Sequence, residues 1–217
     1  VETTEQKAAR TAKIIGRLKK TYPDARLALD FSNPLELLIA LILAAQARDD
    51  LVTVVTAGLF KKYRTAADWA SASPATLQAE LSKITFFRQK TRSIQNACRM
   101  LVEKFGGAPP NNLDDLLSLP GVGRKTANVL LGNAFGQAVI GVDRHVARVS
   151  GRLGLTSNTE PDLIEGDLMP IVAKKDRVKF THLLQFHGRQ ICAARKPKCP
   201  ECPVNALCFY PNKTPPA

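Results

Sequence analysis

Along most of this chain the apolar residues recur every three to four positions, and the strict alternation of a half-buried strand is scarce. Ala8, Ala12, Ile15 and Leu18 share one face of a basic segment, which predicts a helix over 5–20. Asn33-Pro34-Leu35-Glu36 combines an N-cap residue, a proline at the first helical position and a glutamate at the third. A helix is expected to open there and to run to about Ala47. Its body, Leu35 to Ala45, is apolar almost all round, the pattern of a helix buried at the centre of a core. Further helices are predicted over 49–62, 65–71, 74–82, 87–105, 112–118, 124–134, 143–153, 160–173 and 176–190. Breaks fall at Ser73-Pro74, Gly106-Gly107 and Pro109-Pro110-Asn111-Asn112. The fold class is all-α, with 192–211 irregular and Pro211 to Ala217 a frayed tail.

One interruption differs in kind. Leu119-Pro120-Gly121-Val122-Gly123-Arg124-Lys125 reads as a helix end, a two-glycine hairpin and a new helix with a lysine in its first turn. Glycines at 121 and 123 admit positive φ and let foreign backbone come close. The orphan N–H groups and positive dipole end of the following helix make an anion site, and phosphate is the natural anion. Eighteen residues beyond Lys125, Val142-Asp143-Arg144-His145 places an aspartate as the N-cap of another helix.

Charge narrows which anion. Lys and Arg number 31 against 19 Asp and Glu, a formal net charge of +12, which points to a polyanionic partner. Nucleic acid is favoured over membrane, because the most apolar run has 11 residues, contains Glu36 and is too short to span a bilayer. At 217 residues the chain can bury one large core or two small ones. No secretory signal pattern precedes the first helix, and the chain begins with Val1.

Four of the five cysteines crowd together. Cys192, Cys199, Cys202 and Cys208 form C-x6-C-x2-C-x5-C within 17 residues, while Cys98 falls inside a helix as a small buried hydrophobe. Thiolate-only ligation suits either an iron–sulfur cluster or zinc, in a reducing and therefore intracellular, cytoplasmic setting. Between the first two ligands stand Arg195, Lys196 and Lys198, a candidate phosphate clamp.

Together with Leu43-Ala44-Ala45-Gln46-Ala47, these segments occur in one order over about 43–208 and resemble the endonuclease III family of DNA glycosylases. The resemblance implies a helix-hairpin-helix glycosylase fold in two lobes. A six-helix barrel lobe would cover 28–137, with the helix-hairpin-helix at about 112–134. A second lobe would join 1–27 to 138–217 and hold a [4Fe–4S] cluster on Cys192, Cys199, Cys202 and Cys208. DNA would cross the cleft between them, with the damaged base flipped out.

The implied activity is excision of oxidised pyrimidines followed by strand cleavage, on double-stranded DNA carrying an oxidised base or an abasic site, by a monomer. Lys125 is then the nucleophile and Asp143 the catalytic carboxylate. A helix N-terminus and partial burial are both expected to favour the neutral amine. Gln46 and Phe86 would fill the gap in the base stack, while Gly121, Gly123, Arg88, His145 and the 195–198 cations would contact DNA. The chain departs from the family at Thr85-Phe86-Phe87-Arg88, where Gly-Leu-Tyr-Asn is frequent. Adenine-specific monofunctional relatives carry a glutamate where Leu41 stands and lack the hairpin lysine, so both positions favour the lyase. A non-catalytic iron–sulfur DNA-binding protein is the other alternative.

Overall fold

The computed structural model describes residues 2–215, which contain helices and no strand. The chain forms two compact units, Ala28–Gln137 and a second built from Val1–Leu27 with Ala138–Ala217.

In the second unit α1 (Thr4–Thr21) opens on a capping box, Thr3 bonding the Gln6 N–H while the Gln6 side chain bonds the Thr3 N–H. Its buried face is Arg10, Thr11, Ile14, Ile15 and Leu18, with Ala12 exposed instead of buried as expected. Arg10 takes part because every arm of its guanidinium is satisfied. It pairs with both oxygens of Glu2 (2.8 Å each), donates to the carbonyls of Leu153 and Leu207, and lies 4.0 Å over the Phe209 ring. The unit continues with α9 (Arg144–Arg152), α10 (Pro161–Leu168) and α11 (Arg177–Gln190). Ile14, Leu18, Val146, Val149, Phe180, Leu183 and Leu184 form its core. α10 stops at Leu168, short of the expected 173, because Pro170 has no N–H to continue the ladder and clashes with the preceding turn.

The unit Ala28–Gln137 has seven helices among its described residues, three of them only six or seven residues long. They are α2 (Pro34–Ala44), α3 (Asp49–Lys62), α4 (Ala66–Ser71), α5 (Pro74–Glu80), α6 (Phe87–Lys104), α7 (Leu113–Ser118) and α8 (Arg124–Ala134). α2 is the central one. Asn33 caps the Glu36 N–H at 3.0 Å, and every residue from Leu37 to Leu43 is buried against α3, α6 and α8. It ends at Ala44, three residues before the expected Ala47, because Ala45 leaves the helix at ψ 114° and Gln46 follows at φ 55°. Cys98 is fully buried on α6, and burial pushes its thiol up to about 12, so it is an inert packing group.

Candidate active site and metal centre

In the hairpin, the Val122 N–H donates to the Leu119 carbonyl at 3.1 Å, closing a turn with Pro120 and Gly121 at its corners. Gly121 has φ +83°, the left-handed value that the third residue of a type II turn needs. A Cβ there would also lie 2.8 Å from Ser93 Cβ on α6, so space and conformation both demand glycine. Gly123 is different from expectation: its φ is −99°, and a Cβ would meet nothing within 4 Å. It is the N-cap of α8 and, having no side chain, gives the helix no side-chain cap. Lys125 stands in that turn and is exposed, so of its two expected environments the helix N-terminus is present and the burial is not.

Gln46 and Phe86, the two wedge candidates, are both exposed and both in left-handed backbone, at φ 55° and 59°. With Lys196 (φ 48°) they are the non-glycine residues of positive φ among those described. Such conformations cost about 1–2 kcal/mol each and gather at functional positions. Phe86 is 57% exposed and not core, despite its neighbouring phenylalanine. Phe86 itself takes the left-handed turn conformation as N-cap of α6. Arg88 is exposed and stacks on the Phe87 ring at 5.4 Å.

Sequence reasoning missed Lys90. Its ammonium donates to the Leu43 carbonyl at 2.8 Å, and its backbone N–H bonds the Phe86 carbonyl at 3.1 Å. One buried residue therefore ties the end of α2, just before Gln46, to the Phe86 turn. Burial lowers its pKa from the ordinary lysine range. Helical spacing holds the signal, because Lys90 shares a face with Ile94, Ala97 and Leu101.

Asp143 lies in the other unit and is half-buried. Its Oδ1 accepts from the N–H groups of His145 (2.8 Å) and Val146 (2.9 Å), the expected N-cap of α9. Its Oδ2 accepts from Gln185 Nε2 at 3.0 Å, a contact from α11 that nothing in the local sequence announces. His145 is half-buried, with Nδ1 3.1 Å from Arg148 and Nε2 3.5 Å from Arg144. Burial lowers its pKa, so the neutral ring can accept from arginine.

Cys192, Cys199, Cys202 and Cys208 line one cavity with Arg152, His187 and Tyr210. Among the described residues no three His, Cys, Asp or Glu side chains are grouped so as to hold a single metal ion. Arg152 donates to the Cys192 sulfur at 3.4 Å, and His187 Nε2 is 3.5 Å from the Cys202 sulfur. Burial pushes the Cys202 thiol up to about 11 and raises that of Cys208. Binding a metal would have to release those protons.

Arg195, Lys196 and Lys198 are exposed on the adjoining loop. That loop is held by Arg152 on the carbonyls of Ala193 and Ala194 and by Thr214 on Pro197. Thr214 also caps the Cys199 N–H at 3.2 Å, so the tail is pinned where fraying was expected; 216 and 217 lie outside the described residues.

A family model for the HhH-GPD superfamily base excision DNA repair protein matches residues 39–174. Endonuclease III of Synechocystis sp. is 46% identical over 93% of either chain. That of Escherichia coli K12 is 38% identical over 94% of this chain and 97% of its own. A solved structure of a trapped endonuclease III–DNA covalent intermediate superposes with a TM-score of 0.88 at 41% identity, covering 97% of each chain. A thermostable thymine-DNA glycosylase, 24% identical, shares the fold at a TM-score of 0.85.

Proposed function

This chain belongs to the endonuclease III family of helix-hairpin-helix base excision repair enzymes, and from that premise we propose how its residues act. It is a bifunctional DNA N-glycosylase and AP lyase. Its substrate is duplex DNA with an oxidised pyrimidine or an abasic site, engaged by a monomer. The unit Ala28–Gln137 serves as the barrel lobe, and the unit joining the chain's ends serves as the cluster lobe.

One observation carries the lyase activity. Lys125 stands exposed in the first turn of a helix with no side-chain cap, in a chain 41% identical to an endonuclease III trapped covalently on DNA. Its neutral amine attacks C1′, the bond to the base breaks, and the base departs. The lysine nitrogen gives up a proton to the departing base, and the C1′–O4′ bond then opens, O4′ taking up a proton, to leave a protonated Schiff base. Loss of a C2′ proton from it expels the 3′ phosphate, and water releases the lysine. Asp143 stabilises the positive charge developing on the sugar or takes a proton from the nucleophile. The hairpin and the 195–198 cations hold backbone phosphates, while Gln46 and Phe86 occupy the space that the flipped base leaves. Leu41, buried on α2, supplies no acid of the kind a monofunctional mechanism needs.

Four thiols line one cavity, with an Arg152 N–H and the His187 ring beside two of the sulfurs, and that donor set fits the [4Fe–4S] cluster that the family resemblance implies. When bound, the cluster would cross-link the loop that carries Arg195, Lys196 and Lys198. Iron and acid-labile sulfide in equal amounts are expected; a colourless protein with stoichiometric zinc overturns this assignment.

Borohydride trapping on an abasic duplex tests the chemistry. Wild type should form a covalent adduct and Lys125→Gln none. An adduct that persists in Lys125→Gln moves the nucleophile elsewhere, and base release without any adduct makes the enzyme monofunctional.

A further inference from the structure

We infer that Gln185 is a positioning residue for the lyase reaction, holding the Asp143 carboxylate in the one rotation that presents its second oxygen to the sugar. This rests on the catalytic role proposed above for Asp143. Capping commits only Oδ1, which receives the N–H groups of His145 and Val146. The two oxygens turn together about the Cβ–Cγ bond, whose torsion is broad in aspartate, so the cap bonds restrain Oδ2 only through Oδ1. Gln185 Nε2, 3.0 Å from Oδ2, adds a direct restraint at the opposite edge of the carboxylate and narrows that rotation.

The amide is itself held. His182, one turn earlier on α11 and 4% exposed, hydrogen-bonds Gln185. Gln185 presents its NH2 to the carboxylate, since the flipped amide would set oxygen against oxygen. The register of α11 on α9 is fixed one turn further on. A Cβ at Gly188 would lie 3.1 Å from both His145 Nδ1 and Arg148 Nη2, and Arg148 donates to the Gly188 carbonyl at 2.8 Å. His182, Gln185 and Gly188 thus recur every third residue on the face of α11 turned to the start of α9.

A neutral donor suits the task. An arginine at 185 would neutralise the carboxylate that must meet a developing cation, and an apolar residue would leave it free to rotate.

The test is a double-mutant cycle in single-turnover β-elimination, with saturating enzyme on a preformed abasic duplex. Gln185→Met keeps the side-chain length and loses the donor; it should slow the step about ten-fold. Affinity for an abasic-analogue duplex and melting temperature should stay close to wild type. Gln185→Glu, with carboxylate facing carboxylate, should be slower still. Asp143→Ser keeps a capping oxygen for α9 but has no second oxygen to hold, so adding Gln185→Met to it should cost no more than about two-fold.

Gln185→Met at the wild-type rate overturns the proposal, as does an equal slowing in the Asp143→Ser background. If Gln185→Met melts early, the Gln185→Glu cycle decides by the same criterion. A wild type that neither cleaves nor forms an adduct refutes the enzymatic function itself; an active wild type indifferent to residue 185 refutes only the positioning role.

Discussion

The N-cap of α8 is Gly123, which offers no side-chain oxygen, whereas that of α9 is Asp143, whose Oδ1 takes two backbone N–H groups. Both ends carry the same positive dipole and the same orphan donors. At the first, the N-cap is a glycine with open space at its Cβ, which suits the phosphate-binding role proposed for this helix end. The second is completed from within, and its donors are used to aim a carboxylate. In the proposed reading one helix end recruits a charge and the other holds one in place, and the candidate nucleophile stands on the end that recruits.

Substitutions can break this contrast, beginning with the largest effect. Lys125→Gln should reduce strand cleavage by roughly a thousand-fold or more, because a nucleophile has no substitute. DNA binding in a salt titration should fall only modestly and lose about one ion from its salt dependence. If cleavage survives, the open helix end is a phosphate site only.

At the closed end, Asp143→Ala and Asp143→Ser should both lose activity by about 100-fold. Only the alanine variant should also lose about 1 kcal/mol of stability in denaturant unfolding, since serine still caps. Equal stabilities would mean that the cap is worth nothing here.

The two hairpin glycines should separate as cleanly. Gly121→Ala forces a Cβ against Ser93 at positive φ and should destabilise by about 2 kcal/mol or more. Gly123→Ala, at φ −99° with open space, should change stability by no more than about 0.5 kcal/mol, as lower unfolded-state entropy offsets the poorer cap. Its effect belongs instead in DNA affinity, measured by anisotropy. The smallest change in stability is expected at Phe86, where an exposed ring makes Phe86→Ala neutral to within about 0.5 kcal/mol. Release of a damaged base from duplex should nevertheless slow more than cleavage at a preformed abasic site, which needs less unpairing.

Much of this was legible along the chain. The cap at Asn33, the buried run of α2, the hairpin and the cap at Asp143 all depend on residues within a turn of one another. The cysteine spacing marks a metal site before any fold is known. Other features were not legible, because their partners lie far away in sequence. Gly121 and Gly123 look alike in a motif, yet only the approach of Ser93 makes one of them obligatory. Ala12 and Ile14 differ in burial because the neighbours of α1, and not its own period, set which face turns inward.

By itself, then, the sequence determined the helices, their caps and the types of chemistry available, since hydrophobic period and capping act over three or four residues. Tertiary structure alone decided that Lys90 ties Leu43 to the Phe86 turn and that Thr214 pins the cysteine loop. It also decided that Gln185 reaches the free oxygen of Asp143. The bonds to Leu43, Asp143 and the cysteine loop join residues 15 to 47 positions apart, and only the packing register of whole helices and loops brings them within hydrogen-bond distance.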